Sequence, residues 1–139
     1  MNNAVKKSNP ERGGAGVKFL IALSLVVLGG NAALNYVPVA YDAGNFKQEM
    51  DTTVVQALAL PGKVNPADVI KNRINKAARE DNIPADMFLE VKQTGNIMQA
   101  RVVYTKQVSL LPFGVWDYAY HFDHTATPQG FLAKDSQSK

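Results

Sequence analysis

The sequence contains no cysteine, which excludes a disulfide framework and any thiolate metal site. Histidine is nearly as scarce. Its two copies, His121 and His124, fall within one short segment. No serine sits in a nucleophile elbow, Ser109 has no evident base beside it, and no glycine-rich loop is placed to cradle a phosphate. There is no internal repeat. These absences remove most of the side-chain sets on which catalysis is usually built. The expectation is a chain that is not an enzyme and that holds no cofactor and no metal.

A surplus of positive charge is also missing where nucleic-acid binding would need it. The net charge is +3, but the first 18 residues carry Lys6, Lys7, Arg12 and Lys18 against Glu11 alone. The remainder balances, with eleven basic and eleven acidic residues. A phosphate-binding surface requires a basic patch on the folded domain, so no nucleic-acid partner is expected.

What is present is a long apolar run. Residues Val17–Val39 are predominantly apolar and include Phe19, Leu28, Leu34 and Val37. As a helix this stretch reaches about 34 Å, enough to cross a hydrocarbon core of about 30 Å. Lys18 can snorkel at one end, and Tyr36 stands where an interfacial aromatic belongs at the other. Asn31 and Asn35, four apart, share a helical face able to meet a partner helix. The basic leader sets the orientation: N-terminus in the cytoplasm and residues 40–139 outside, which in a bacterial inner membrane means the periplasm.

Two other readings of the same run stay open. Phe19–Leu28 has the length of a signal-peptide core, and Gly30-Asn31-Ala32 offers small residues for cleavage, which would release a secreted periplasmic domain. Gly16-Val17 also resembles a prepilin processing site, which would make the chain a minor pilin-like subunit of a pilus or secretion apparatus. Pilin-type sequences carry a glutamate early in the mature helix, whereas here Lys18 and Ile21 occupy that stretch and the next acid is Asp42.

Beyond the run, apolar residues make up 46% of the chain, sufficient for a packed core. Phe46, Met50, Val54, Ala57 and Leu58 form one stripe and predict a helix over Asn45–Ala59, ended by Pro61-Gly62. Asn65-Pro66-Ala67-Asp68 is a helix start, with a capping side chain, proline at the first position and an early acid. Ile70, Ile74, Ala77 and Ala78 give that second helix its apolar face. Lys71, Arg73, Lys76 and Arg79 decorate the other, read as a solvated face.

After Ile83-Pro84 the period changes to two. Strands are expected over Phe88–Gln93, Ile97–Val108 and Val115–Thr125, the first two joined by the turn Thr94-Gly95-Asn96. In the third, Trp116, Tyr118, Tyr120 and Phe122 should face the helices, and Asp117, His121 and Asp123 the solvent, with His124 on the helix side. His121 and Asp123 are the one pair that could begin a metal or hydrolytic site, and they lack a third ligand. Leu110, Leu111, Pro112 and Phe113 form an apolar connection at a hairpin tip, a candidate interaction loop for the membrane or a protein.

The expected organisation is therefore a basic leader (1–16), a transmembrane helix (17–39), an extracytoplasmic α+β domain (40–133) and a disordered tail (134–139). The fold class is α+β, an N-terminal transmembrane helix followed by two helices packed on a three-stranded antiparallel meander (ααβββ). Its partners are the membrane lipid bilayer and a protein, either another chain or a second copy.

Several segments together resemble a family of small, uncharacterised bacterial single-pass membrane proteins. They are Glu11-Arg12-Gly13 before the helix, Val37-Pro38-Val39-Ala40-Tyr41 at its exit, Ile70–Pro84, and the closing Val91–His124. The resemblance covers roughly residues 11–125. It implies a membrane-anchored extracytoplasmic domain of no established activity, and it transfers no catalytic residue.

Overall fold

The structure, a computed structural model, describes residues 14–128. Most of the basic leader and all of the polar tail 134–139 lie outside the described residues. The elements are α1 (Gly14–Ala57), α2 (Pro66–Glu80), β1 (Phe88–Thr94), β2 (Ile97–Ser109), a short 3-10 turn (Pro112–Gly114) and β3 (Asp117–Ala126). The strands form one antiparallel sheet in the order β1-β2-β3. Two helical segments pack across one face, so the α+β, ααβββ architecture read from the sequence is the one observed.

The apolar run and the first domain helix are a single helix of 44 residues, about 66 Å long. The sequence reading ends the membrane helix at Val39, with Pro38 in its last turn, and opens the next helix at Asn45. The break does not occur. Pro38 lies inside the helix, where it has no amide to give the Leu34 carbonyl. Contacts on both sides of it hold the axis together. Tyr36 packs on Tyr118 and Tyr120 of β3, and Ala43 and Phe46 are buried against the sheet. A proline costs about 3 kcal/mol in a helix interior, and burying Phe46, Met50 and Val54 offsets it at about 1.5–3 kcal/mol each. At the far end α1 stops at Ala57, so Leu58 falls outside the helix and is exposed.

α2 forms as its ends dictate. The Asn65 side-chain oxygen accepts from the Ala67 amide at 3.1 Å, and Pro66 occupies the first helical turn. At the other end Asn82 adopts a left-handed conformation (φ 52°). The Ile83 amide then donates back to the Ala78 carbonyl at 2.8 Å, closing the helix with a Schellman turn. The β1–β2 loop is Gly95-Asn96, between the paired Thr94 and Ile97. Gly95, at φ +63°, supplies the left-handed conformation that such tight hairpins need.

The core lies between α1, α2 and the inner sheet face. Phe46, Met50, Ile70, Ile74, Val54 and Val102 are its largest fully buried side chains. Tyr104 and Phe122, directly opposed on β2 and β3, stack at 4.8 Å between ring centres. Phe46 closes over both. The tyrosine hydroxyl of residue 104 is buried and finds no hydrogen-bond partner among the described residues, and burial raises its pKa.

Candidate functional site

The outer sheet face collects the polar residues that chemistry would use, and it pairs them with one another. The Arg101 guanidinium grips the Asp123 carboxylate through two bonds, Nε to Oδ1 at 3.0 Å and Nη2 to Oδ2 at 2.7 Å. That bond holds the Asp123 carboxyl below its usual range. His121 is elsewhere engaged, its Nδ1 lying 3.1 Å from the Thr105 hydroxyl. His121 and Asp123 share a face as expected, but each is tied to its own cross-strand neighbour. No group of three side chains able to hold a metal ion occurs among the described residues.

His124 faces the helices, as alternation requires. Its Nε2 meets Asp51 Oδ1 of α1 at 2.9 Å. The sequence signals only half of this contact: period two puts His124 beside Phe122, whereas nothing local marks Asp51 as its partner. At the C-terminal end of α2, beside the middle of α1, Asp81 stands among Asp42, Glu49 and Glu80. Partial burial, and then these like charges, raise its pKa. The shallow groove there is lined by Asn45, Gln48, Glu49, Thr52, Glu80 and Asp81.

The first half of α1 presents a continuous apolar surface. Along the first half of α1, Val17, Phe19, Leu20, Ile21, Leu23, Leu25, Val26 and Val27 are exposed. Leu28, Leu34 and Val37 are exposed as well. The helix is long and apolar enough to cross a membrane, and none of its most apolar window is covered by the other described residues.

The hairpin tip joins this surface. β2 and β3 run back along α1 toward its N-terminal half. The Asn31 side-chain amide donates to the Leu110 carbonyl at 3.1 Å. Asn31 thus meets the hairpin, where the sequence reading gave its face to a partner helix. Ala32, Ala33, Tyr36, Leu110 and Tyr118 line an apolar groove between helix and hairpin.

Tyr36, read from sequence as an interfacial anchor, spends its ring on the sheet. It makes edge contacts to Tyr118 at 6.2 Å and Tyr120 at 6.0 Å. Burial, followed by Tyr36 and Tyr118, raises the Tyr120 pKa. Of the four aromatics expected to face the helices, Phe122 is buried and Tyr120 half-buried, while Tyr118 stays largely exposed. Trp116 precedes β3 and is 62% exposed. Beside Tyr118 the helix presents the small side chains Ala32 and Ala33, which leave a groove there. In the tip itself Leu110 and Leu111 are half-buried and Pro112 exposed, and Phe113 is 99% exposed.

No family model, curated protein or solved structure matches the chain.

Proposed function

We propose that the chain is a single-pass membrane protein of the bacterial cell envelope whose small α+β domain serves as a non-catalytic interaction or structural module. The observation that carries the reading is the bare first half of α1. Eight large apolar side chains from Val17 to Val27 face outward without cover, and water alone is a costly neighbour for so contiguous a surface. A lipid bilayer removes that cost, and the backbone of a helix is internally satisfied within it. The basic leader puts the N-terminus in the cytoplasm and the domain in the periplasm. The outer sheet face, with its paired polar residues and free strand edges, is the surface offered to a protein partner or a second copy.

The test uses the full chain carrying a C-terminal tag. Membrane-fraction protein that resists alkaline extraction, retains its full mass and exposes its tag to protease only from outside supports the anchored reading. A soluble product beginning near Ala33 replaces it with a secreted domain.

One observation favours a second reading, a minor pilin-like subunit. The exposed apolar half and the domain half are one continuous helix, so the apolar half would suit packing against copies of itself as well as lipid. A mature N-terminus at Val17 by mass spectrometry is the expected signature. Retention of the leader eliminates it.

A further inference from the structure

We propose that the β2–β3 hairpin tip, Leu110–Trp116, is a second membrane-inserting element. It beds in the headgroup–acyl boundary of the leaflet through which α1 leaves the bilayer. The proposal rests on α1 spanning the membrane and adds to it a fixed depth and a fixed tilt for the domain.

Composition is the first ground. From Gln107 to Trp116 the hairpin carries no charged residue, and Lys106 and Asp117 bracket the stretch. Exposure is the second. Phe113 is 99%, Val115 74% and Trp116 62% exposed. Phe113 and Gly114 both hold left-handed backbone conformations, at φ 65° and 66°. A phenylalanine costs energy there, and the result is an aromatic ring at the apex that the other described residues leave uncovered.

Depth is the third ground. The bond from Asn31 to Leu110 sets the base of the tip level with Asn31, and the strand direction carries Leu111–Val115 onward toward the apolar half of α1. An exit at Ala32 is compatible with a full crossing: Gly14–Ala32 is 19 helical residues, within the range of about 17–25 that a span takes, with the Lys18 side chain snorkelling back to the headgroups.

The alternative boundary at Val39 lies about 10 Å farther along the helix. That rise corresponds to about three strand residues. It would draw Asp117 into hydrocarbon, which is strongly unfavourable for a charge. An exit near Ala32 instead leaves Asp117 in water and the tip in the interface. Trp116, Tyr118 and Tyr36 then cluster at the level where amphipathic rings concentrate. The tip is also continuous with the exposed helix through the groove of Ala32, Ala33 and Leu110, so one lipid phase covers both.

Trp116 is the chain's single tryptophan and reports on the tip without any label. The full chain is reconstituted in phosphatidylethanolamine–phosphatidylglycerol vesicles, and flotation and alkaline extraction establish that α1 is inserted. The expected result is a blue-shifted Trp116 emission that lipids brominated at shallow acyl positions quench and aqueous iodide does not. Phe113→Asp, at a side chain that the other described residues leave uncovered, should reverse both responses while leaving the circular dichroism spectrum unchanged.

An inserted chain whose Trp116 is quenched by iodide and not by brominated lipid overturns the proposal and leaves the spanning helix standing. Protection from both quenchers that grows with protein density in the vesicles overturns it in favour of a second copy covering the tip. A chain that does not float with vesicles overturns the spanning reading and the proposal together.

Discussion

Phe46 has no solvent-exposed surface, and its ring meets Tyr104 at 6.4 Å and Phe122 at 5.9 Å. It joins α1 to the two strands that form most of the sheet. Phe46→Ala should therefore lower unfolding stability by about 3–5 kcal/mol, read by denaturant titration of the detergent-solubilised chain. A loss below about 1 kcal/mol would show that the ring is not the centre of the core.

Asp81 answers differently, because its carboxylate is the unfavourable form. Its folded pKa is raised above the ordinary 3.8. The unfolded chain then releases the proton first, and stability falls as pH rises from that value through the folded pKa. Asp81→Asn removes the penalty. Screening at this partly exposed site limits the gain to about 0.5 kcal/mol at neutral pH. The gap between the two proteins should close below pH 3.8, where both carry a neutral side chain. A gap that persists in acid would assign the effect to the amide's own hydrogen bonding and not to charge.

At the scale of elements, α1 shows both what sequence makes legible and what it hides. The stripe Phe46, Met50, Val54 is visible as periodicity and is buried as read. The ends of α2 are equally legible, since Asn65, Pro66 and Asn82 act on their own backbone. The continuity of α1 is not legible. Pro38 and Gly44 argue locally for a boundary, and the contacts that outweigh them come from β3, some eighty residues later in the chain. The candidate site divides in the same way: the apolar character of Leu110–Phe113 is plain, but its seat beside Asn31 is a tertiary fact.

Pro38 supplies a test of this account. Its missing amide leaves the Leu34 carbonyl without its usual partner, and the ring crowds it. Pro38→Ala should restore the bond without disturbing a buried contact, because Pro38 is exposed. Amide exchange over the turn Leu34–Asp42 should slow, reflecting a gain of about 1 kcal/mol or more in local stability. Unchanged or faster exchange would mean that the proline is accommodated without cost by a kink that the surrounding contacts require.

For the whole molecule, the question is where the uncovered part of α1 ends, and its contacts with the other described residues begin at Asn31. Every side chain from Gly14 to Gly30 is exposed, and the first to be partly covered are Asn31 and Ala32. A chain beginning at Asn31 should thus lose membrane association yet keep its fold, with unfolding stability within about 1 kcal/mol of the full chain, because no buried surface is removed. A chain beginning at Tyr41 should also be soluble but weaker. It loses Tyr36 from the rings of Tyr118 and Tyr120, contacts worth about 0.5–1.5 kcal/mol for each aromatic pair. It also loses the Asn31 bond that seats the hairpin. Comparing the melting temperatures of the two shortened chains separates these effects. Equal values would place the boundary of the packed domain beyond Tyr41 and leave the hairpin tip free of the helix, whereas a drop confined to the shorter chain makes residues 31–40 part of the domain.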